Sequence, residues 1–421
     1  MTMPNVVPDK PRLLLLSYAF PPATAPEAML SAKRAGNLPG WEVDVVCAAP
    51  FHPGMGNDAD MAAYAAARFG RIVRLAPRVR LPLHRLGGFA HLPDTMRVLN
   101  AAAVRTAAEM HSARPFDAVL SWSTYHSVHL AALRLKQKLG LPWLAHMSDP
   151  WVDNPFVRYG GIVGRLNRVM ERSVVSTADR VLMTTPETVE LVMAKYPAAW
   201  RERCVVIPHG FDRSLYAGAA PGPLGGRPLV LRYLGNFYGI RTPEPLFAAL
   251  AALLAHRPGA LDGVVVEIVG KLDPGMAESA AARSLPAGLI RMVAPVGYRR
   301  SLELMETADL LLIVDSPAPL SVFLPSKLVD YLGAGRPIVA LTPPGAAWRV
   351  TREAGYWTAA PDDPAAAADA LLAGLEAVRG GKAGAADVSR YSAEATGREL
   401  AGVLDEVLEA RVVTGSAGGL G

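Results

Sequence analysis

From about residue 12 to residue 342, short runs of leucine and β-branched residues alternate with stretches of helical periodicity, and this alternation restricts the fold more than any other feature. Strands separated by enough chain for a crossover helix pair in parallel and bury both faces. Seven strand candidates come first: RLLLLSY (12–18), WEVDVVCAA (41–49), RIVRL (71–75), FDAVLSWS (116–123), PWLAHMS (142–148), ADRVLMTT (178–185) and CVVIPHG (204–210). Five more follow a break: LVLRYLGN (229–236), VVVEIVGK (264–271), LIRMVAPV (289–296), DLLLIVDS (309–316) and PIVALT (337–342). The break itself, AGAAPGPLGGRP at 217–228, has no periodicity and reads as a linker. At 421 residues the chain exceeds what one core usually organises. The expectation is an α/β protein of two Rossmann-like parallel-sheet domains, 1–216 and 229–390. A closing helix within 391–421 packs back on the first domain and ends in a flexible tail.

The two cysteines, Cys47 and Cys204, are too few for a disulfide framework or a zinc site, and they fit a reducing compartment. Apolar runs such as Leu13 to Leu16 fall far short of the roughly 20 residues that cross a bilayer, and no signal-peptide stretch follows the start. A cytoplasmic protein is expected. Its net charge of +5 is unevenly placed: residues 1–215 hold 25 Lys+Arg against 17 Asp+Glu, and the remainder 18 against 21. Arg68, Arg71, Arg74, Arg78, Arg80 and Arg85 lie in a stretch without an acid between Asp60 and Asp94. That stretch is either a solvated loop surface or a face for an anionic acceptor or membrane headgroups. No nucleic-acid partner is expected.

Ligands of open α/β sheets bind beyond the carboxyl ends of the strands, so function should lie in the loops that follow them. The loop after the first strand, SYAFPPATAPEAM (17–29), holds prolines where a dinucleotide site needs G-x-G-x-x-G. In the second half, GNFYGIRTPEPL (235–246) offers Gly235 and Asn236 for close backbone approach, with Arg241 just before a helix. A surface pair of Arg241 with Glu244 is the alternative reading. LPSKLVDYLGAGRPIVAL (324–341) opens a second helix with a capping Ser326 and then Lys327. A lysine in the first turn opposes the helix dipole unless an anion sits before it. Asp330, one turn on, is suited to a vicinal diol or to a plain pair with Lys327. Lys271 ends the strand candidate at 264–271 and adds a third cation.

Together HGFD (209–212), GNFYGIR, ADLLLIVD (308–315) and LPSKLVDYLGAGRPIVA resemble the retaining glycosyltransferases of family four, which have the GT-B fold. SYAFPP, GWEVDVV (40–46) and SDPW (148–151) resemble the first domain of the same family. The resemblance implies two domains facing across a cleft, with a nucleotide-diphosphate sugar held mainly by the second. Arg241 and Lys327 would neutralise the diphosphate, Asp330 would hold the ribose, and backbone N–H groups near Ser326 would touch phosphate. Two fixed cations and a helix N-terminus would stabilise the departing diphosphate by themselves, so no metal or other cofactor is expected. The position about eight residues before Asp330, at which most members carry an acid, is Val322, and Ala25–Pro26 replace a Gly-Gly pair. In the first domain Asp149, His146 and His126 are the catalytic candidates, set against a structural role for each histidine. Trp122, Tyr125 and Trp151 form either an acceptor wall or core packing.

The implied activity is sugar transfer with retention to a glycan, lipid-linked or small-molecule hydroxyl acceptor, in envelope or polysaccharide assembly, on the inner membrane face where the basic stretch engages it. A sugar-nucleotide 2-epimerase and a non-catalytic nucleotide-sugar binding subunit are the competing functions.

Overall fold

The computed structural model describes residues 10–50, 56–76, 92–273, 275–381 and 386–417. By internal contacts the chain divides into two units, Met1–Pro208 with Ala393–Gly421, and His209–Ser392.

The first unit is a seven-stranded sheet of β1 (Arg12–Ser17), β2 (Glu42–Ala48), β3 (Ile72–Leu75), β4 (Ala118–Ser123), β5 (Trp143–Met147), β6 (Arg180–Met183) and β7 (Cys204–Val206). Its spatial order is β3-β2-β1-β4-β5-β6-β7, and every pairing is parallel. Leu13 to Leu16 are fully buried because β1 is central and covered on both faces, which is why the strand reads as an unbroken leucine run.

The second unit repeats the arrangement with β8 (Leu229–Leu234), β9 (Val264–Val269), β10 (Ile290–Val293), β11 (Leu310–Val314), β12 (Ile338–Leu341) and β13 (Trp357–Ala359), in the order β10-β9-β8-β11-β12-β13. In both sheets the order reverses beside the first strand, between β1 and β4 and between β8 and β11. Crossovers leave to opposite sides there, opening a crevice at the carboxyl ends.

All twelve expected strands are present, each trimmed by up to four residues, and β13 is an addition at a sheet edge. Residues 217–228 are not a free linker. The N–H groups of Ala217 and Gly218 donate to the Glu306 carboxylate at 3.0 and 2.8 Å, and Arg227 forks onto Asp309 at 2.6 and 2.7 Å, so the segment is bound to the second unit. Composition marked it as irregular but concealed these partners. The last helix, Ala393–Ala417, is counted with the first unit, where Trp41 Nε1 donates to Asp405 at 3.2 Å.

Candidate functional site

In the second unit the two loops at the order reversal are tied to each other. β8 runs into Gly235, whose φ of +143° strains any residue with a side chain; a Cβ there would lie 2.8 Å from Lys327 Nζ and displace the ammonium. Lys327 Nζ donates to Tyr233 Oη at 2.8 Å and lies 4.1 Å from that ring's centroid, while Phe237 stacks on the other side of Tyr233 at 4.2 Å. Asn236 Oδ1 accepts the Lys271 N–H at 2.8 Å, which brings the loop after β9 alongside. Ser316 Oγ, in the loop after β11, donates to the Ile240 carbonyl at 2.8 Å and holds the turn that presents Arg241. Gly235, Asn236, Lys271, Lys327 and, through this tie, Arg241 are thus gathered at one end of the sheet.

The charges there are left unspent. Among the described residues Lys327 forms no ion pair and its ammonium rests on a phenol, not on Asp330; exposed Arg241 forms none with Glu244. The helix Ser326–Ala334 has Pro325 at its N-cap, no capping side chain and no acid in its first turn. Ser326 is therefore its first residue and not the cap expected from sequence. The other helices at the order reversals differ. Pro26–Ala35 carries Glu27 in its first turn, Glu244–His256 carries Glu244, and Ser127–Leu139 receives Asp94, which accepts from the Ser127 N–H at 2.8 Å and its hydroxyl at 2.6 Å. Of these four, only Ser326–Ala334 has no acidic residue at its positive end among the described residues.

Asp330 is buried, and Tyr298 Oη reaches both of its carboxylate oxygens at 3.0 Å. Tyr216 Oη fixes the same residue's carbonyl at 2.8 Å. Neither tyrosine was identifiable from sequence, because nothing local links residues 216, 298 and 330. Val322 is buried, and its neighbour Ser321 is locked to the segment 344–346 by hydrogen bonds of 2.8 and 2.9 Å, so an apolar side chain suits the position.

In the first unit the expected catalytic residues separate. His146 is a core side chain: it is 0% exposed and its ring stacks on Trp122 at 3.6 Å, which leaves no atom facing a substrate. His126 precedes the helix Ser127–Leu139 and lies flat on Trp151 at 4.6 Å with an interplanar angle of 2°. Its Nδ1 is buried without a hydrogen-bond partner among the described residues, and burial lowers its pKa to about 3, so it is neutral near pH 7. Trp122 and Trp151 are core residues whose Nε1 atoms donate to Glu27 at 2.6 Å and Asn167 at 2.8 Å. Asp149, following β5, is exposed. Of the basic stretch, Arg68 lies over the Tyr64 ring at 3.9 Å and Arg74 donates to the Pro21 carbonyl at 3.1 Å; Arg78, Arg80 and Arg85 lie outside the described residues.

Glu27, which the sequence did not single out, sits beneath this end of the sheet. It accepts from Trp122 Nε1 and from Ser148 Oγ. Burial pushes its pKa from 4.5 up to about 7 against the pull of the Ser148 and Trp122 hydrogen bonds, and the Asp149 carboxylate adds to the rise. Because the folded pKa is the higher, folded protein keeps a proton that unfolded protein has lost between about pH 4.5 and 7. Stability therefore falls as pH rises through that window. Glu27→Gln should remove the dependence, gaining of order 3 kcal/mol relative to the parent between pH 4 and pH 8 in urea unfolding. A gap independent of pH would mean that the carboxylate is already charged in the folded state.

Residues 28–210 match the glycosyl transferase 4-like domain. A D-inositol 3-phosphate glycosyltransferase of Actinosynnema mirum is 27% identical over 259 residues, 56% of this chain and 61% of that one. The chain spans about three fifths of the length of the curated relatives first matched. HepE of Anabaena, solved in complex with UDP and glucose, aligns with a TM-score of 0.57 at 16% identity, covering 96% of this chain and 99% of the other. A UDP-GlcNAc 2-epimerase from Neisseria meningitidis, bound to UDP-GlcNAc, aligns at 0.57 and 11% identity over 94% and 99%. At such identities the solved structures speak for the fold alone, and transferases and epimerases share it. The first unit thus matches a glycosyl transferase 4-like domain over residues 28–210, and the chain as a whole has the two-sheet GT-B fold.

Proposed function

We propose that this protein is a glycosyltransferase that moves a sugar, with retention, from a nucleoside-diphosphate sugar to a hydroxyl acceptor. The observation that carries the reading is the positive end of the helix Ser326–Ala334, which has no acid in its first turn, with Lys327 and Arg241 at the same end of the sheet and neither paired to an acid among the described residues. Breaking the bond between the sugar and the diphosphate develops negative charge on the leaving group. Fixed cations and helix N–H groups stabilise that charge without reorganising. Asp330, steadied by Tyr298, accepts hydrogen bonds from the ribose diol. Metal plays no part in this reading. The acceptor belongs to the first unit, where the exposed Asp149 carboxylate accepts a hydrogen bond from the attacking hydroxyl.

Similarity to proteins named for inositol phosphate makes a phosphorylated polyol the first acceptor to try, and the UDP bound by HepE makes UDP-sugars the first donors. A role in envelope or polysaccharide assembly rests on the family resemblance. Incubation of the protein with UDP-sugars, with and without polyol phosphates or a cell extract, should release UDP only when acceptor is present. Interconversion of the sugar nucleotide without acceptor would instead identify an epimerase. Tight donor binding with no release under any condition would identify a binding subunit.

A further inference from the structure

The helix Gly161–Thr177 of the first unit turns an apolar stripe to solvent. Ile162, Leu166 and Val169 are 60, 39 and 60% exposed, and their spacing of four and three residues puts them on one face. The face that packs inward is different, formed by Gly164, Asn167, Glu171, Val174 and Val175. Just before the helix, Phe156 and Val157 are 50 and 41% exposed, which extends the apolar surface. Isolated exposed apolar residues need no explanation, but five within fourteen residues form a patch.

The charge alongside has one sign. Arg158, Arg165, Arg168 and Arg172 are all exposed. Arg172 leans over the Trp200 ring at 5.1 Å, and the other three form no ion pair among the described residues. The acids of the segment point elsewhere. Glu171 is buried and receives Lys195 and Tyr196, each at 2.7 Å, and Asp153 also pairs with Lys195.

We propose that this face docks on an anionic bilayer surface, with Ile162, Leu166 and Val169 entering the headgroup boundary and the arginines engaging lipid phosphates. A helix with an apolar face flanked by arginine is the arrangement that lies in a membrane interface, where one partner satisfies both sets of side chains. A free anion satisfies only the arginines. A symmetric dimer through the same patch satisfies only the apolar stripe, because it sets arginines against their own copies with no acid between them. The proposal is independent of the glycosyltransferase reading and of the basic stretch at residues 68–85.

The test is flotation of the full chain with vesicles of phosphatidylglycerol mixed with phosphatidylcholine, and with phosphatidylcholine alone, at low and high salt. The parent should float with the anionic vesicles at low salt and only weakly with neutral ones. Arg165→Gln with Arg168→Gln should weaken binding about thirtyfold, near fivefold for each arginine at the surface. Ile162→Ser with Leu166→Ser should abolish the fraction that survives high salt, and both double variants should keep the parent's melting temperature because the sites face solvent. Failure of the parent to float overturns the proposal, as does flotation that both variants preserve. A concentration-dependent dimer lost in the Ile162, Leu166 variant, without vesicle binding by the parent, assigns the face to a second copy instead and also overturns it.

Discussion

Replacing Lys327 by alanine is expected to weaken binding of a nucleoside diphosphate by about 1.5 to 3 kcal/mol, roughly tenfold to over a hundredfold, the range for a hydrogen bond to a charged group. The reason is the placement of the ammonium. It leans on Gly235 and a phenol, and among the described residues no acid holds it. Arg241→Ala should act in the same direction at the lower end of the range, because its side chain is exposed and better screened. The nucleoside without phosphates should bind parent and variants alike. Calorimetry with the two ligands separates the diphosphate term from the base and ribose, and equal loss for both would mean that the variant has disturbed the whole pocket.

Asp149→Ala is expected to lower turnover by about a hundredfold or more while leaving donor affinity within about twofold, as for a group that acts on the reacting hydroxyl. The expectation follows from exposure. Asp149 is the one exposed residue of the three first-unit candidates, whereas His146 is sealed against Trp122 and His126, half-buried, is held neutral on Trp151. The decisive comparison is kcat for nucleoside-diphosphate release beside the donor Kd. A rise in Kd with kcat unchanged would move Asp149 from the acceptor to the donor.

The contrast between Asp149 and the histidines shows where sequence stops being legible. Strands were readable because a parallel sheet buried on both faces demands uninterrupted apolar runs such as Leu13–Leu16 and Leu310–Val314, and no other local structure asks for them at this spacing. The edge strand Trp357–Ala359 was not, since three residues, two of them half-buried, carry no such signature. At the candidate site a local conflict drew attention to two residues, a lysine in a first helical turn and a glycine ending a strand, and the fold sets them side by side. Residues whose role depends on a distant partner were missed. Tyr298 matters through Asp330, and Glu27 through Trp122 and Ser148, across 95 and 121 residues of chain. The same limit explains His146, which looks available at a strand end until Trp122 is placed over it.

Lys327 and Gly235 also set the most direct test of the central claim, that the second sheet's order reversal is the diphosphate site. Hydrogen–deuterium exchange of the full chain, with and without saturating UDP, reads that location amide by amide. The account predicts slowed exchange in residues 235–241 and 326–330, with lesser protection around Lys271, and the same pattern missing when uridine replaces UDP. Bound UDP that leaves 235–241 and 326–330 unprotected, or that protects only segments of the first unit, would contradict it.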